Sequence, residues 1–456
     1  MTSMTAAPTT GPMGHMTDYD RLVQDGGRDG RFTVTRAAYT EAELFEREMR
    51  LIFESGWVYL AHESQIANAN DFITVRIGRK SVIVQRGADG GVRAFLNACP
   101  HRGSALCRTE QGNRRMHVCP YHGWSFDSSG RNRLVKGRES GGYNAAFDAS
   151  SHDLHSLPRV ESYRGFIFGS LTAEVPPLAD YLGAAAAFID LLADQSPDGV
   201  EVIPGAATFR FRGNWKLQVE NGVDGYHFTT VHNNYVRVLM QRGVRARESG
   251  VQDAVRTGFD HKSWGKEAGW YDLGGGHTLL WLLSTAPSDR PLWERRAELA
   301  ARVGEVRAKW MVERQRNLAL FPNVQLMDQN STQIRVIVPL APDLTEVRSY
   351  CFAPRGEAPA ARQRRLRQFE DFFNASGFAT PDDLAVFDAV QAGCESTPLV
   401  RHGFDRGMQR LQEGADDEAR ALGIAPAAGG SDAQDELLYH GFYRRWAQAL
   451  QEGNPR

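Results

Sequence analysis

Two short segments of the sequence each combine one cysteine with one histidine. In CPHRG, Cys99 and His101 are separated by one residue, and in CPYHGW, Cys119 and His122 are separated by two. The whole chain has only five cysteines in 456 residues. Thiolates and imidazoles are good ligands for several transition metals. The four side chains are therefore a candidate metal site built from two similar loops.

This ligand set suits a two-iron cluster whose ligands are divided by type. In the Rieske [2Fe-2S] arrangement two thiolates bind one iron and two imidazoles bind the other, and the neutral imidazoles raise the reduction potential. A zinc site with two cysteines and two histidines is the alternative. Zinc modules pair cysteine with cysteine and histidine with histidine, and they seldom use the C-x-H spacing. The spacing therefore favours the Rieske cluster.

A third segment, ENGVDGYHFTTVH, contains Asp224, His227 and His232. Two histidines five residues apart do not share one face of a regular helix, so binding of one metal by both requires a helix end or a distortion. Two histidines and a distant carboxylate form the facial triad of non-haem iron(II) oxygenases. Asp224 can accept a hydrogen bond from His227 and orient it. A structural role for the histidine pair is the alternative, but a Rieske cluster delivers single electrons, which an oxygen-activating iron needs.

Cys107 and His117 lie beside the first two motifs and are not needed as ligands. Cys107 has no partner at ligand spacing. A buried cysteine commonly behaves as a small apolar side chain. We expect Cys107 to be packed in a core rather than bound to metal.

The two Cys–His motifs must be held by a small β domain. Short β-like runs surround them, and the sequence RGADGG between two of these runs predicts a hairpin. The predicted strands cover residues 72–77, 81–86, 92–98 and 164–171. Residues 55–170 are accordingly predicted to form one β domain.

Strands and helices in series follow this domain and predict an antiparallel α+β domain rather than a βαβ array. The predicted strands cover 277–284, 323–328, 333–340 and 346–354, and the predicted helices cover 41–53, 178–194, 295–315 and 361–375. Residues 413–430 are expected to be a loop or partly disordered. A final helix is predicted over 431–450, with a capping box formed by Ser431 and Gln434.

The composition is that of an ordinary globular protein. A net charge of −2 gives no electrostatic reason to expect nucleic acid or a membrane surface as a partner. Five thinly spread cysteines argue against a disulfide framework, so a reducing cytoplasm is expected. The first 20 residues lack the pattern of a signal peptide and are expected to be a disordered leader. No run of 18 apolar residues predicts a membrane span.

The motifs carry a family resemblance. CPHRG with CPYHGW resembles the cluster signature of the large (α) subunits of Rieske non-haem iron aromatic-ring-hydroxylating dioxygenases, and GNWKLQVENGVDGYHFTTVH is similar to their iron-binding signature. The similarity extends over residues 40–450. WVYLAHESQI, PNVQLMDQ and EDFFNASGFATPDDL resemble the benzoate, toluate and anthranilate branch in particular.

The resemblance implies an α+β architecture with an N-terminal all-β Rieske domain. A catalytic domain follows, with a curved antiparallel sheet covered by helices in a helix-grip-like arrangement. The boundaries expected are a disordered leader at 1–20, a helical segment that packs on the catalytic domain at 21–54, the Rieske domain at 55–170 and the catalytic domain at 171–456.

The resemblance also implies roles for individual residues. The cluster ligands are Cys99, His101, Cys119 and His122, and the iron ligands are His227, His232 and an aspartate of GFATPDD. Asp383 matches the third ligand, with Asp382 as its alternative, although both could simply favour the start of a helix at Pro381. Asn221, Phe373 and Phe378 are candidate substrate contacts that could equally be core residues.

Asp224 is the expected catalytic residue because its counterpart in the family links an iron ligand to a cluster histidine of the neighbouring subunit. In this chain that histidine is His122, so a trimer is implied. The expected system includes a small β subunit in an α3β3 complex, and a reductase, possibly with a ferredoxin, that supplies electrons from NADH.

The implied reaction uses O2 to convert an aromatic carboxylate into a cis-diol. Benzoate, anthranilate and 2-halobenzoates are the expected substrates, and a 2-substituted benzoate could give a catechol. Two alternatives stand beside this reaction: a Rieske monooxygenase or demethylase of the same fold, and a pure Rieske electron-transfer protein.

Overall fold

Residues 18–249, 267–329 and 331–452 are described by the computed structural model. The helices are α1 (Asp18–Leu22), α2 (Ala37–Thr40), α3 (Ala42–Glu48), α4 (Ala145–Asp148), α5 (Leu178–Leu182), α6 (Ala186–Ala193), α7 (Trp215–Gly222), α8 (Phe228–Val231), α9 (Asn233–Ser249), α10 (Arg296–Val303), α11 (Glu305–Val312), α12 (Pro359–Phe372), α13 (Thr380–Ser396), α14 (Asp417–Leu422) and α15 (His440–Glu452). The strands are β1 (Val23–Asp25), β2 (Phe32–Thr35), β3 (Val58–His62), β4 (Asp71–Ile77), β5 (Lys80–Arg86), β6 (Val92–Leu96), β7 (Gln111–Asn113), β8 (Met116–Val118), β9 (Ser125–Asp127), β10 (Asn132–Leu134), β11 (Arg159–Tyr163), β12 (Phe166–Ser170), β13 (Val200–Val202), β14 (Ala207–Arg212), β15 (Ala268–Gly274), β16 (His277–Leu283), β17 (Arg314–Leu320), β18 (Val324–Asp328), β19 (Thr332–Ala341), β20 (Leu344–Pro354), β21 (Arg401–Gly403), β22 (Gln412–Glu413) and β23 (Ala428–Gly430).

The N-terminal segment packs on the C-terminal domain, which the resemblance assigns as the catalytic domain, but it is not purely helical as expected for 21–54. Its strands β1 and β2 form an antiparallel sheet with β21 from near the other end of the chain. The helix predicted over 41–53 is present as α3 and a π-helical turn at Met49–Phe53. The predicted leader lies outside the described residues except for 18–20, which belong to α1.

The region of the Cys–His motifs consists of three antiparallel sheets. Their strand orders are β6-β5-β4-β7, β10-β9-β8 and β11-β12-β3. The predicted hairpin is confirmed, with β5 and β6 paired so that Gln85 lies opposite Arg93. Apart from α4 and 3-10 turns at Glu63–Ile66 and Arg138–Ser140, this region is built of β-strands, as the sequence predicts.

The sheet β11-β12-β3 joins this β domain to the catalytic domain, because its two faces enter two different cores. Along β12, Ile167 packs in the core of the β domain, whereas Phe166 and Phe168 pack in the core of the catalytic domain. Side chains alternate between the faces of a strand, so one short sheet serves both cores. A polar contact also joins the two domains: Oδ1 of Asn323 accepts a hydrogen bond from the backbone N–H of Tyr59 at 3.0 Å.

The catalytic domain is built on a ten-stranded antiparallel sheet. Its order is β13-β20-β19-β18-β17-β16-β15-β23-β22, and β14 also pairs with β20. Residues that alternate along the central strands enter two cores. One core holds residues of α7, α13 and α15, and the other holds residues of α6, α10 and α11. The antiparallel sheet covered by helices agrees with the predicted fold class.

Two expectations for the C-terminal region are wrong. Residues 413–430 contain α14 and β23, and β23 pairs with β15 as part of the large sheet. The final helix begins at His440 rather than at Ser431, so the predicted capping box does not form. Residues 431–436 are kept out of a helix by tertiary contacts: Asp435 is buried and accepts hydrogen bonds from the Arg410 side chain and the Trp270 indole.

A buried cluster of charged and aromatic groups fixes the start of α7. The Lys216 ammonium lies 2.5 Å from the Glu48 carboxylate, and both side chains are fully buried. The indole N–H groups of Trp215 and Trp446 donate to the same carboxylate at 2.8 and 2.7 Å. Removing one partner of such a buried pair costs about 3–5 kcal/mol, because the other charge is then left unpaired. This cluster ties α7 to α3 and α15.

A second buried group fixes the other end of α7. Glu220 accepts hydrogen bonds from the hydroxyls of Tyr39 at 2.6 Å and of Tyr443. Burial raises the pKa of Glu220 to about 7, even though both hydroxyl bonds favour the carboxylate. Each end of α7 is therefore bonded to both terminal regions of the chain.

None of the helices among the described residues is both long and apolar enough to cross a bilayer.

We expect Glu220→Gln to change how stability depends on pH. The folded protein keeps a proton on Glu220 up to a pKa of about 7, whereas the ordinary value is 4.5. Native Glu220 therefore makes the free energy of unfolding fall as pH rises from 4.5 to 7, by about 3 kcal/mol at about 1.4 kcal/mol per pKa unit. The neutral amide of the variant does not titrate and would carry no such slope, and other titrating groups cancel in the difference between the two proteins.

Urea unfolding at pH 5, 6, 7 and 8 measures this difference. The stability of the Glu220→Gln variant relative to the native protein should rise with pH up to 7 and then stay constant. Glu43→Gln, at an exposed position in the first turn of α3, is the control and should leave the profile unchanged. Parallel profiles for the Glu220→Gln variant and the native protein would contradict the assignment.

Candidate metal centres

The two Cys–His loops share one backbone frame. In each loop the cysteine N–H donates to the carbonyl five residues later, Ser104 or Trp124, at 2.9 and 2.7 Å. The cysteine carbonyl accepts from a glycine N–H four residues later, at 2.8 and 3.0 Å. These glycines, Gly103 and Gly123, have φ of +72° and +77°, a conformation that favours glycine. The glycine that closes each motif is therefore part of the loop geometry.

The histidines occupy adjacent positions within this frame. His101 follows its cysteine by two residues and His122 by three, and their ring centroids are 4.6 Å apart. The position that is not histidine is Arg102 in the first loop and Tyr121 in the second. Nη1 of Arg102 donates to the Tyr121 hydroxyl at 3.2 Å. The His101 ring also stacks on Trp124 at 4.7 Å and 7°. Both imidazoles are thus brought together on one side of the paired loops.

The two cysteines are buried and near enough to hydrogen-bond each other. Burial raises the pKa of Cys99. The pKa of Cys119 is lowered in spite of burial, because the backbone N–H groups of Tyr121 and His122 and the Ser104 hydroxyl donate to its sulfur. Donors of this kind stabilise thiolate charge. With two thiols, two adjacent imidazoles and a buried His122 Nδ1 that lacks a partner among the described residues, the site fits a Rieske [2Fe-2S] cluster.

Cys107 and His117 pack against each other, as expected of residues that are not ligands. The Cys107 sulfur lies 3.2 Å from Nδ1 of His117, whose Nε2 lies 2.7 Å from Oε1 of Gln85. Burial lowers the pKa of His117 to about 4 and raises that of Cys107 to about 11. Both side chains are therefore neutral at physiological pH.

A second group of possible ligands is formed by His227, His232 and Asp383. Their ligand atoms all lie within 4.8 Å of one another. His227 directly precedes α8 and His232 directly follows it, so the four-residue helix spans the gap between them. Asp383 lies in the first turn of α13. The five-residue spacing is thus accommodated by two helix ends, one of the two possibilities that the sequence left open.

The three side chains point their inner atoms at one place. The Nε2 atoms of His227 and His232 are 3.2 Å apart. Oδ1 of Asp383 lies 3.2 Å from Nε2 of His232 and 3.5 Å from Nε2 of His227. The nearby histidines and Arg335 hold the pKa of Asp383 below its ordinary value although the group is buried. Two imidazoles and one carboxylate are the donors of the iron(II) facial triad, so the group fits that metal. Asp382, the alternative ligand, is not part of the group.

Asp224 and Asn221 contact this group from two sides. Oδ2 of Asp224 lies 3.2 Å from Nδ1 of His227, the ring nitrogen that faces away from the group, and raises the pKa of that histidine against the effect of burial. The Asn221 amide donates to Oδ1 of Asp383 at 3.0 Å and lies 3.3 Å from Nε2 of His227. Asn221 therefore lies beside the group, as expected, and Asp224 orients His227 from behind.

The two phenylalanines proposed as substrate contacts have different surroundings. Phe373 is buried in a small core with Met327, Cys351 and Phe369. Phe378 is partly buried and covered by the Arg242 guanidinium, 4.7 Å from the ring centroid. These contacts explain Phe373 by packing alone.

Phe372 is the aromatic residue that the sequence reasoning missed. Its ring lies 5.9 Å from the His232 ring and 5.0 Å from the Tyr235 ring, measured between centroids. The only signal for it was its place beside Phe373 at the end of α12, and the helix phase decides which of the two rings turns toward the histidine.

Comparison with known families agrees with both metal centres. Residues 56–157 match the model of the Rieske [2Fe-2S] domain. Residues 199–452 match the model described as ring hydroxylating alpha subunit (catalytic domain). The first match contains β3 to β10, and the second contains all ten strands of the large sheet.

Individual proteins resemble the chain along nearly its whole length. The toluate 1,2-dioxygenase subunit alpha of Pseudomonas putida is 44% identical over 95% of this chain and 94% of that protein. The 2-halobenzoate 1,2-dioxygenase large subunit of Burkholderia cepacia is 44% identical over 97% and 95%. Among solved structures, a naphthalene 1,2-dioxygenase mutant bound to phenanthrene has a TM-score of 0.78 at 26% identity, covering 93% of each chain.

The two aspartates that begin α13 provide a test of the third ligand. We expect Asp383→Ala to lower the iron content from three to two per chain, because the remaining two imidazoles hold iron poorly, while the visible spectrum of the cluster is unchanged. Asp382→Ala is the matched control and should keep three irons. Loss of iron from the Asp382→Ala variant alone would assign the ligand to the other aspartate.

Proposed function

The chain belongs to the family of ring-hydroxylating dioxygenase α subunits, and we propose that it hydroxylates an aromatic carboxylate. As a member, the protein is an oxidoreductase that uses a Rieske [2Fe-2S] cluster and a mononuclear non-haem iron. It is therefore an enzyme, and the alternative of a pure electron-transfer protein is wrong.

The names of the relatives support a carboxylate substrate. Toluate and 2-halobenzoate are both aromatic acids, and the two enzymes named for them are 44% identical to this chain over 94% or more of their own lengths. The proposed reaction adds both atoms of O2 to adjacent ring carbons, takes up two electrons from NADH and two protons, and gives a cis-diol. A 2-substituted substrate would then lose its substituent and its carboxylate to give a catechol.

We assign the metal ligands from the geometry of the two centres. Cys99, His101, Cys119 and His122 would hold the cluster, and His227, His232 and Asp383 would hold the iron. When bound, the cluster supplies single electrons, and the iron supplies open coordination positions for O2.

The chain's own residues prepare the iron site. The Asp224 carboxylate faces Nδ1 of His227 and so keeps the proton of the neutral ring on that nitrogen, which leaves the Nε2 lone pair directed inward. The Asn221 amide fixes Oδ1 of Asp383 by donating to it. The rings of Phe228 and Phe372 lie against His232 and limit the access of water to that side.

The partners follow from the subunit type. A large oxygenase subunit of this family works in a multicomponent system, and we propose a small β subunit, an α3β3 complex, and a reductase, possibly with a ferredoxin, that draws on NADH. Among the described residues, no hydrogen bond or ion pair links the Cys–His loops to the iron ligands. Asp224 is about a quarter exposed, which leaves it able to contact His122 of a neighbouring copy. We propose that electrons cross at this contact.

Product analysis with 18O2 tests the proposed reaction. The purified oxygenase with its reductase and NADH should convert benzoate into a diol that contains two 18O atoms, because both new oxygens come from O2. It should convert 2-chlorobenzoate into catechol with release of chloride. A product with a single 18O atom would indicate a monooxygenase, and turnover of neutral aromatic compounds but of no aromatic acid would contradict the substrate class.

The bridging role of Asp224 is tested by Asp224→Asn. We expect NADH-coupled turnover to fall by about 100-fold, because the neutral amide cannot hold the His227 proton as the carboxylate does. The cluster spectrum and the iron content should be unchanged. Asp388→Asn, at an exposed position of α13, is the control. Near-normal turnover by the Asp224→Asn variant would show that the carboxylate is not needed.

A further inference from the structure

Arg335 is the one buried arginine whose charge is not paired within the described residues. Five arginines are almost fully buried: Arg290, Arg314, Arg316, Arg335 and Arg365. The other four form ion pairs with Asp328, Glu418 or Glu357. Arg335 is 4% exposed, and its Nε has no hydrogen-bond partner among the described residues.

The register of the sheet places the Arg335 side chain on the face that α7 covers. In β18 and β19, Arg335 lies opposite Gln325, so the two side chains share a face. The Gln325 amide donates to the α7 carbonyls of Gln218 and Val219 at 3.1 and 3.0 Å. This is the helix that carries Asn221.

One of the proposed iron ligands, Asp383, lies within electrostatic reach of Arg335. Asp383 is the acidic group whose charge acts on Arg335, and Arg335 in turn acts on Asp383. Arg335 and Asp383 do not form an ion pair, so the guanidinium is not in direct contact with this iron ligand. Burial lowers the pKa of Arg335 to about 10, which keeps the guanidinium charged at neutral pH.

Burying a guanidinium without a charged or hydrogen-bonding partner lowers the stability of the protein. Such a group is retained where another group binds it and compensates its charge. A planar guanidinium binds a carboxylate through two parallel hydrogen bonds. Around it the same sheet face offers mainly neutral side chains, among them Met327, Gln333, Ser349 and Cys351. Arg335 therefore contributes a single positive charge to a sheet face whose neighbouring side chains are neutral.

We propose that Arg335 binds the carboxylate of the substrate and holds the aromatic ring beside His227, His232 and Asp383. This inference rests on the proposed function, since it requires an aromatic acid as substrate. It makes Arg335 a residue that determines specificity: a neutral aromatic compound of the same shape would leave the guanidinium unpaired.

Binding to the resting enzyme tests the proposal without any turnover. Equilibrium dialysis gives the Kd of benzoate and of benzamide, which has the same shape but no charge. The native enzyme should bind benzoate more tightly. In Arg335→Met the benzoate Kd should rise at least about thirtyfold, equivalent to about 2 kcal/mol at about 1.4 kcal/mol per tenfold, while the benzamide Kd changes by less than about threefold.

A second variant and a control keep the test decisive. Arg335→Lys keeps a charge but not the planar fork, so it should retain the preference for benzoate with a Kd raised about tenfold; it decides the question if the methionine variant does not fold. Arg348→Met is the control, because Arg348 lies next to Ser349 in β20, points to the opposite face and is paired with Glu346. Iron content and the cluster spectrum are measured for each protein.

Each outcome has one meaning. An unchanged benzoate Kd in the Arg335→Met variant overturns the proposal, and so do equal losses for benzoate and benzamide, which would indicate an effect through Asp383 alone. If the native enzyme converts benzoate and the variant binds it normally, the proposed function stands and only the role of Arg335 fails. If the native enzyme binds no aromatic acid in preference to its amide, the proposed substrate class fails as well.

Discussion

The catalytic half of the molecule depends on the placement of α7 by buried charges. Glu48 and Lys216 are both fully buried, and two indoles complete the hydrogen bonds of the carboxylate. Such a pair contributes little net stability, but its directional bonds allow few alternative positions for the helix. Glu220, one turn later in α7, is also fixed by hydrogen bonds. Together the two clusters prevent α7 from rotating about its axis and from sliding along it. Asn221 and the loop that leads to His227 start from this fixed point.

From α7 onward the site is assembled by short connections. The loop after α7 places Asp224 behind the His227 ring, and α8 sets the distance from there to His232. Only Asp383 comes from far along the chain, and the Asn221 amide meets its carboxylate directly. His227 is therefore held on both sides, by a carboxylate at its outer nitrogen and by the ligand group at its inner nitrogen. The outer carboxylate is also more exposed than the three ligand side chains.

Local spacing explains what the sequence could predict. The two Cys–His loops were identifiable because each complete motif, glycine included, lies within six residues, and the β domain around them has clear strand and turn patterns. The third iron ligand, Asp383, was named only by resemblance, since α13 approaches the histidines through tertiary packing. The role of Arg335 depends on the register of β19 against β18, and that of Phe372 on the phase of α12; neither can be read from one segment. The start of α15 was misplaced because Asp435 is fixed by distant partners.

The tyrosine pair on Glu220 joins the two ends of the chain. Tyr39 and Tyr443 are 404 residues apart in sequence, yet their hydroxyls meet at 2.5 Å beside the same carboxylate. The Cys–His loops, in contrast, need only contacts made within the first part of the chain. Because a protein is synthesised from its N-terminus, the cluster domain is complete while most of the catalytic domain is still missing. The hydrogen bonds that hold Glu220 can therefore be completed only after α15 has been synthesised.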